Sequence, residues 1–212
     1  DGVQAGDHPQ AKPVFDLDST SLLGIARGLR EEHRFESGRK ITFAPRVLLG
    51  AAENPNVSPV EHRAVRLAKK IAAGAQFVQT QYCYDIPLLR RFMTAVEDAG
   101  LLEQVFILIG VGPIRTAKAG EWMRTHVPGI HIPDSVIERM KGAEDQTREG
   151  LNLCVDLIQE VRTIKGVSGV HVMAYRQEES VAEVIDRSGI LAGRTPWFPG
   201  RDPQINEDRK LS

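Results

Sequence analysis

The stretch AQFVQTQYCYD, residues 75–85, decides the fold. A helical pattern runs into it and another leaves it, so it reads as a strand between two helices. Phe77, Gln79 and Gln81 share one face at period two, and Val78, Thr80 and Tyr82 share the other. Strands flanked by helices are usually buried on both faces and read as continuous apolar runs. Two glutamines on one face of such a strand are costly unless each finds partners. They are either core amides satisfied by backbone or water, or Gln81 faces a ligand. The second reading puts Gln81 at the carboxyl end of a parallel strand, where open α/β sheets and α/β barrels build their sites.

Working outward, residues 41–52, ITFAPRVLLGAA, read as a strand with Pro45 near its start. Glu53-Asn54-Pro55-Asn56 makes a loop at its carboxyl end. Ser58 at N-cap, Pro59 at N1 and Glu61 at N3 compose a capping box that opens a helix. Val60, Ala64, Leu67, Ala68 and Ile71 form its apolar stripe, and Gly74 supplies a left-handed stop. Lys69 and Lys70 in its last turn read as complements to the helix dipole.

Beyond the opening stretch, the spacing predicts a helix over 87–99 and a strand over 104–112. That strand ends in Gly110-Val111-Gly112-Pro113, which lets backbone approach something closely. It lacks the third glycine and acidic follower of a dinucleotide fingerprint. Helices follow over 116–125 and within 128–140, and a long amphipathic helix spans 144–164 with Cys154 inward as a small core residue. A fourth strand spans 169–175, where Val170, Val172 and Ala174 alternate with His171, Met173 and Tyr175. Arg176 then sits where a cation meets an anionic substrate, or is an ordinary exposed arginine. A last helix covers 179–188. Upstream, a helix over 15–30 starts at Asp18 or Ser19, after a polar loop in which His8 reads as solvated. Strands that alternate with helices in this way form a parallel sheet with right-handed crossovers. Four such strands make an open sheet or half of an eight-stranded barrel.

The 212 residues are 42% hydrophobic and 26% charged, with a net charge of −1. This composition points away from nucleic-acid and membrane-surface partners, and no apolar run reaches spanning length. Two cysteines, Cys83 and Cys154, have neither metal-site spacing nor the count of a disulfide framework, so the setting reads as cytoplasmic. Residues 192–212 hold three prolines and little apolar periodicity and read as an extended tail in which Trp197-Phe198 is the docking segment.

Five motifs carry a family resemblance: GDHPQAKPVFDLDS, GAAENPN, LAKKIAAGAQFVQTQYCYD, GVGPI and GVHVMAY. Together they resemble the methylenetetrahydrofolate reductase family, and most of all the bacterial branch whose last strand reads HVMA. The most specific piece is AGAxFxQTQxxxD, at residues 73–85. The resemblance covers residues 1–191. It implies a (β/α)8 TIM barrel of which this chain is the second half, strands five to eight. The half that carries the family's general-acid glutamate would precede Asp1. A half barrel leaves two strand edges and its core open, so self-association or pairing with a partner subunit is expected.

The family chemistry implied is reduction of 5,10-methylenetetrahydrofolate to 5-methyltetrahydrofolate, with FAD as cofactor and NAD(P)H as co-substrate. By the resemblance, Asp1 matches a catalytic aspartate near the pterin, and Gln81 matches a glutamine shared by folate and nicotinamide. Lys70 matches a contact to the flavin phosphates, with Lys69 beside it. Gly50, Ala52 and Asn54 occupy the loop that wraps the FAD, with Gly50 and Asn54 replacing the family's tyrosine and histidine, and Phe15 or Asp16 falls near its adenosine side. Met123 stands at the position of an aromatic that stacks on folate, Ala119 replaces a folate-binding glutamine, and Arg176 is the candidate for the glutamate tail. Two alternatives remain: a related folate or methyl-transfer barrel, and a non-catalytic subunit or binding module.

Overall fold

Helices separate every pair of successive strands between Ser19 and Ser188 in the structure, a computed structural model that describes residues 16–194. Asp1, His8, Phe15, Trp197 and Phe198, and nearly all of the expected tail, lie outside the described residues. In chain order the elements are α1 (Ser19–Glu31), β1 (Gly50–Glu53), α2 (Val60–Ala72), β2 (Phe77–Tyr82), α3 (Ile86–Asp98) and β3 (Phe106–Val111), then α4 (Ala117–His126), α5 (Asp134–Lys141), α6 (Gln146–Val161), β4 (Val167–Val172), a 3-10 turn (Glu178–Ser180) and α7 (Val181–Ser188). The α1 cap is the expected Asp18, whose carboxylate accepts from Ser21 N at 2.7 Å and is held below its ordinary range by bonds from Ser21.

All three strand pairs are parallel, and the sheet order is the sequence order β1-β2-β3-β4. Right-handed crossovers that always step the same way lay their helices on the same face of a sheet. A doubly wound sheet reverses its stepping and covers both faces; this one does not reverse. The result is a four-stranded α/β sheet consistent with a TIM-barrel-like domain.

Side-chain burial follows from that winding. Val78 and Thr80 of β2 and Ile107, Ile109 and Val111 of β3 are buried in one core with Phe92, Leu89, Ile137, Met140 and Ile158 from the helices. On the other face, Phe77, Gln79, Gln81 and Leu108 are only half-buried, and Phe106 is 65% exposed. The alternation read from residues 75–85 therefore holds over Phe77–Gln81 and breaks at half-buried Tyr82, where the pairing with β3 shifts register, and the two glutamines do not sit in the packed core. They lie on the face that the described helices leave open.

Three sequence expectations need correction. The strand over 41–52 is confined to Gly50–Glu53: Pro45 has no N–H for a ladder, Phe43, Val47 and Leu48 are exposed, and pairing begins only where Gln76 N donates to Leu49 O at 2.8 Å. The Ser58 capping box is absent. Pro59, extended at φ −74° and ψ 138°, takes the N-cap position of α2 and has no acceptor to offer, so Ser58 falls one residue too early. The fourth strand runs over Val167–Val172 rather than 169–175. Past it Met173 N still donates to Val111 O at 2.8 Å, but the chain then turns through Arg176 at φ 56°.

The far end of α2 behaves as the sequence predicts. Gly74, at φ 117°, and Ala75 donate back to Ile71 O and Lys70 O at 2.9 and 3.0 Å, closing a Schellman stop. Both cysteines are buried among apolar side chains, and burial pushes each thiol up to about 12. Neither should react with a thiol-directed disulfide reagent at pH 8 in the native protein, and both should react once it is unfolded in denaturant. Rapid native-state labelling of Cys83 would contradict the packing beside β2.

Candidate functional site

Two cavities open toward the carboxyl ends of the strands, on either side of Gln81 and Tyr82. The first, of about 390 Å³, is bounded by Ala52 and Asn54 from the end of β1, Gln79 and Gln81 from β2, His171 from β4, and Arg63, Arg66 and Lys70 from α2. The three cations stand at i, i+3 and i+7, which places them along one side of the helix. Lys70 is buried, and its Nζ donates to Glu53 Oε2 at 2.7 Å and Ala52 O at 2.5 Å. This corrects the dipole reading: Lys70 is one half of a buried ion pair that fastens α2 to β1. Lys69 is exposed and does not line the cavity.

Arg63 Nε donates to Val57 O at 3.2 Å, and among the described residues neither Arg63 nor Arg66 is paired with a carboxylate. The Gln81 side-chain oxygen accepts from Tyr82 N at 3.0 Å, so its amide nitrogen is the group left to donate. The donors of this cavity therefore suit an anionic group near α2 joined to a polar, flat group near β2. Those are the two parts of a flavin nucleotide, and the residue set fits one. Asn54 is occupied within the protein, its amide nitrogen donating to Gly129 O at 3.0 Å. Gly50 lies against the Phe77 ring, which a Cβ at position 50 would meet at 2.3 Å, so a larger residue there would require that ring to move.

The second cavity, of about 690 Å³, is mostly apolar. Tyr82, Trp122, Met123, Val127 and Ile130 line it, with Arg115, Lys118 and Arg176 around them. Thr116 caps α4 by accepting from Ala119 N at 3.1 Å, which turns the positive end of that helix toward the same opening. Arg176 is exposed, its guanidinium 5.3 Å from the Tyr175 ring centroid, and its backbone N–H donates to Glu178 Oε1 at 3.0 Å. A non-glycine residue at φ 56° is uncommon, and such strain collects at functional positions. An amphiphile with an aromatic body and a carboxylate end matches this lining.

Hydroxyls hold the wall between the cavities. Tyr82 O–H donates to Met173 O at 2.9 Å, and Tyr84 O–H donates to Gly112 O at 3.1 Å, with the two rings stacked 5.6 Å apart. Burial pushes both phenols up, so both remain neutral donors. The close approach expected at Gly110-Val111-Gly112-Pro113 is made to the protein itself, since a Cβ at Gly112 would stand 2.0 Å from Met173 O.

The structure thus gathers Ala52, Asn54, Lys70 and Gln81 at one cavity and Met123 and Arg176 at the other. Asp1 and Phe15 lie outside the described residues. Sequence reasoning missed Arg63, Arg66 and His171, and it missed Trp122, Arg115 and Lys118. The helical spacing of the α2 cations was a usable signal, as was the alternation that puts His171 on the face of Met173 and Tyr175. Among the described residues no cluster of metal-ligating side chains occurs, and no helix is long and apolar enough to cross a membrane.

Residues 29–189 match the family model described as methylenetetrahydrofolate reductase. Methylenetetrahydrofolate reductase 2 of Schizosaccharomyces pombe is 28% identical over 136 residues, which cover 60% of this chain and 21% of that protein. The 5,10-methylenetetrahydrofolate reductase of Escherichia coli is 24% identical over 153 residues, covering 68% of this chain and 50% of that protein. The chain therefore spans about half the length of the bacterial relative and about a fifth of the yeast one. An uncharacterised protein from Clostridium thermocellum, solved as binding two copies of 5-methyl-5,6,7,8-tetrahydrofolic acid, is similar in fold with a TM-score of 0.53 at 19% identity, over 70% of this chain and 54% of that one.

Proposed function

This chain belongs to the methylenetetrahydrofolate reductase family, and we propose that it forms the flavin- and folate-binding side of a (β/α)8 barrel that reduces 5,10-methylenetetrahydrofolate to 5-methyltetrahydrofolate with NAD(P)H. The observation that carries this reading is the pair of cavities at one rim of the sheet. One is cationic and amide-lined, the other aromatic with a cationic mouth, and Gln81-Tyr82 divides them. The four strands here would be the last four of the barrel. The units that complete it, from the same polypeptide or a partner subunit, would cover the open face that bears Phe77, Phe106 and Leu108.

In the first cavity Arg63 and Arg66 would hold the diphosphate of FAD, with Lys70 and Glu53 keeping α2 at its distance from β1. When bound, the flavin supplies hydride carriage between the nicotinamide and the one-carbon unit. The work of the chain is orientation. The free amide nitrogen of Gln81 donates to a ring or carboxamide carbonyl, a contact that a pterin and a nicotinamide could each make in turn. Trp122 and Met123 give the aminobenzoyl ring an apolar wall, which excludes water from that side. Arg176, Arg115 and Lys118 attract the glutamate carboxylates. Ala119, where the family resemblance implies a glutamine, supplies no polar side-chain contact, so recognition in this cavity falls on packing and on those cations.

Quenching of flavin fluorescence tests the first cavity in the 212-residue chain. FAD is expected to bind saturably, and Arg66→Glu is expected to weaken FAD about tenfold or more while changing riboflavin, which has no phosphate, by much less. Failure of FAD to bind, or equal losses for FAD and riboflavin, would overturn the assignment.

A further inference from the structure

His171 carries the one buried side-chain nitrogen or oxygen without a hydrogen-bond partner among the described residues, its Nδ1. The residue stands on β4 in register with Gly110 of β3, yet it lines the same cavity as Gln79 and Gln81 of β2. Gly110, the β3 position in register with both His171 and Tyr82, places no side chain between β4 and β2 at this level. A buried N–H with no acceptor costs more than a bare lone pair in the same place. The proton of the neutral ring therefore belongs on Nε2, which is the nitrogen able to bond a ligand. Among the described residues neither ring nitrogen has a hydrogen-bond partner, so no described contact fixes this half-buried ring in place.

We propose that His171 is a binding residue of the first cavity, its Nε2–H donating to an acceptor on a flat, carbonyl- and nitrogen-rich heterocycle. Gln79 and the free amide nitrogen of Gln81 supply further polar groups along the same wall. This assignment rests on reading that cavity as a heterocycle site. The isoalloxazine of a flavin and the pterin of a folate offer the same acceptor chemistry, so the two are separated by experiment.

The test uses the full chain and two probes, FAD and 5-methyltetrahydrofolate, each titrated against the parent, His171→Phe and His171→Gln. Phenylalanine keeps the ring without the donor, and glutamine restores a donor near the Nε2 position. His171→Phe is expected to weaken one probe by about three- to tenfold, the worth of one net hydrogen bond, and His171→Gln is expected to recover most of that loss. A loss confined to FAD assigns the contact to the flavin; one confined to the folate assigns it to the pterin. Unchanged affinity for both overturns the role of His171 alone. A parent chain that binds neither probe overturns the cavity reading together with it. Long-range proton–nitrogen NMR of the parent gives a readout independent of any variant: the ring should be the Nε2–H tautomer, with that resonance moving when the probe binds. An Nδ1–H tautomer, or an Nε2–H that ignores both probes, would overturn the proposal even if His171→Phe failed to fold.

Discussion

Replacing Lys70 with methionine is expected to destabilise the protein by about 3 to 5 kcal/mol, measured as a fall in the urea midpoint at constant slope. The Lys70 and Glu53 side chains are only 8% and 2% exposed, and they meet at 2.7 Å. Removing the ammonium leaves the Glu53 carboxylate buried, with only Asn54 N donating to it at 3.0 Å, and leaves Ala52 O without its donor. An unpaired buried charge is what makes this loss large. Replacing both partners with apolar residues, Lys70→Met with Glu53→Leu, should cost much less, because the desolvation of both charges disappears together. A small loss in the single variant would mean that water reaches Glu53 and that the pair is not the clamp between α2 and β1. The pair also bears on the phosphate contact that the family resemblance implies for this lysine. An ammonium already held by a carboxylate and a carbonyl has one donor left for a phosphate, so the proposed anion contact would fall mainly on Arg63 and Arg66, neither of which is paired with a carboxylate among the described residues.

The βα alternation and the parallel sheet were legible because local signals and winding agree. Asp85 caps α3 by accepting from Leu88 N at 2.9 Å, Gly74 stops α2, and the apolar stripe of α6 buries Leu151, Cys154, Ile158 and Val161 as its spacing requires. The misreadings occurred where tertiary geometry overrides local pattern. Residues 41–49 are apolar enough for a strand, but only those reaching β2 find a ladder. Ser58 and Glu61 carry the letters of a capping box, but the helix starts one residue later than the box needs. Lys70 could not be separated from Lys69 by sequence physics, because which of two adjacent lysines turns inward depends on where Glu53 ends β1. Gln81 was legible from its period and its place at a strand end. For Arg63, Arg66 and His171 the sequence offered only a spacing and an alternation, and these became a site only when α2 and β4 brought the three to one cavity.

Replacing Gly150 with alanine is expected to destabilise the protein by about 3 kcal/mol, in the direction opposite to helix propensity. Gly150 lies inside α6, where alanine would ordinarily stabilise by about 1 kcal/mol. Here a Cβ would stand 1.8 Å from Ile114 O and 2.8 Å from Ile114 C, both backbone atoms that cannot rotate away. Two contacts dock the first turns of α6 on the segment after β3: this close approach, and the bond from Ala117 N to Gln146 Oε1 at 2.9 Å. Relieving the clash must move that segment, which carries Arg115, Thr116 and the start of α4 into the second cavity. The cost should therefore appear in two places. Urea unfolding should show the lost stability, and binding of 5-methyltetrahydrofolate should weaken more than binding of FAD, because the first cavity draws no residue from that segment. A Gly150→Ala protein as stable as the parent or more so would show that α6 can stand off from Ile114, and the second cavity would then be wider than the one described here. A stability loss with equal effects on both ligands would instead mean that the two cavities share one rigid frame through Tyr82 and Tyr84, whose hydroxyls tie the end of β2 to Met173 and Gly112. Selective loss of folate binding fits the division made by Gln81-Tyr82, in which each cavity is held by its own helix: α2 for the first, α4 braced by α6 for the second.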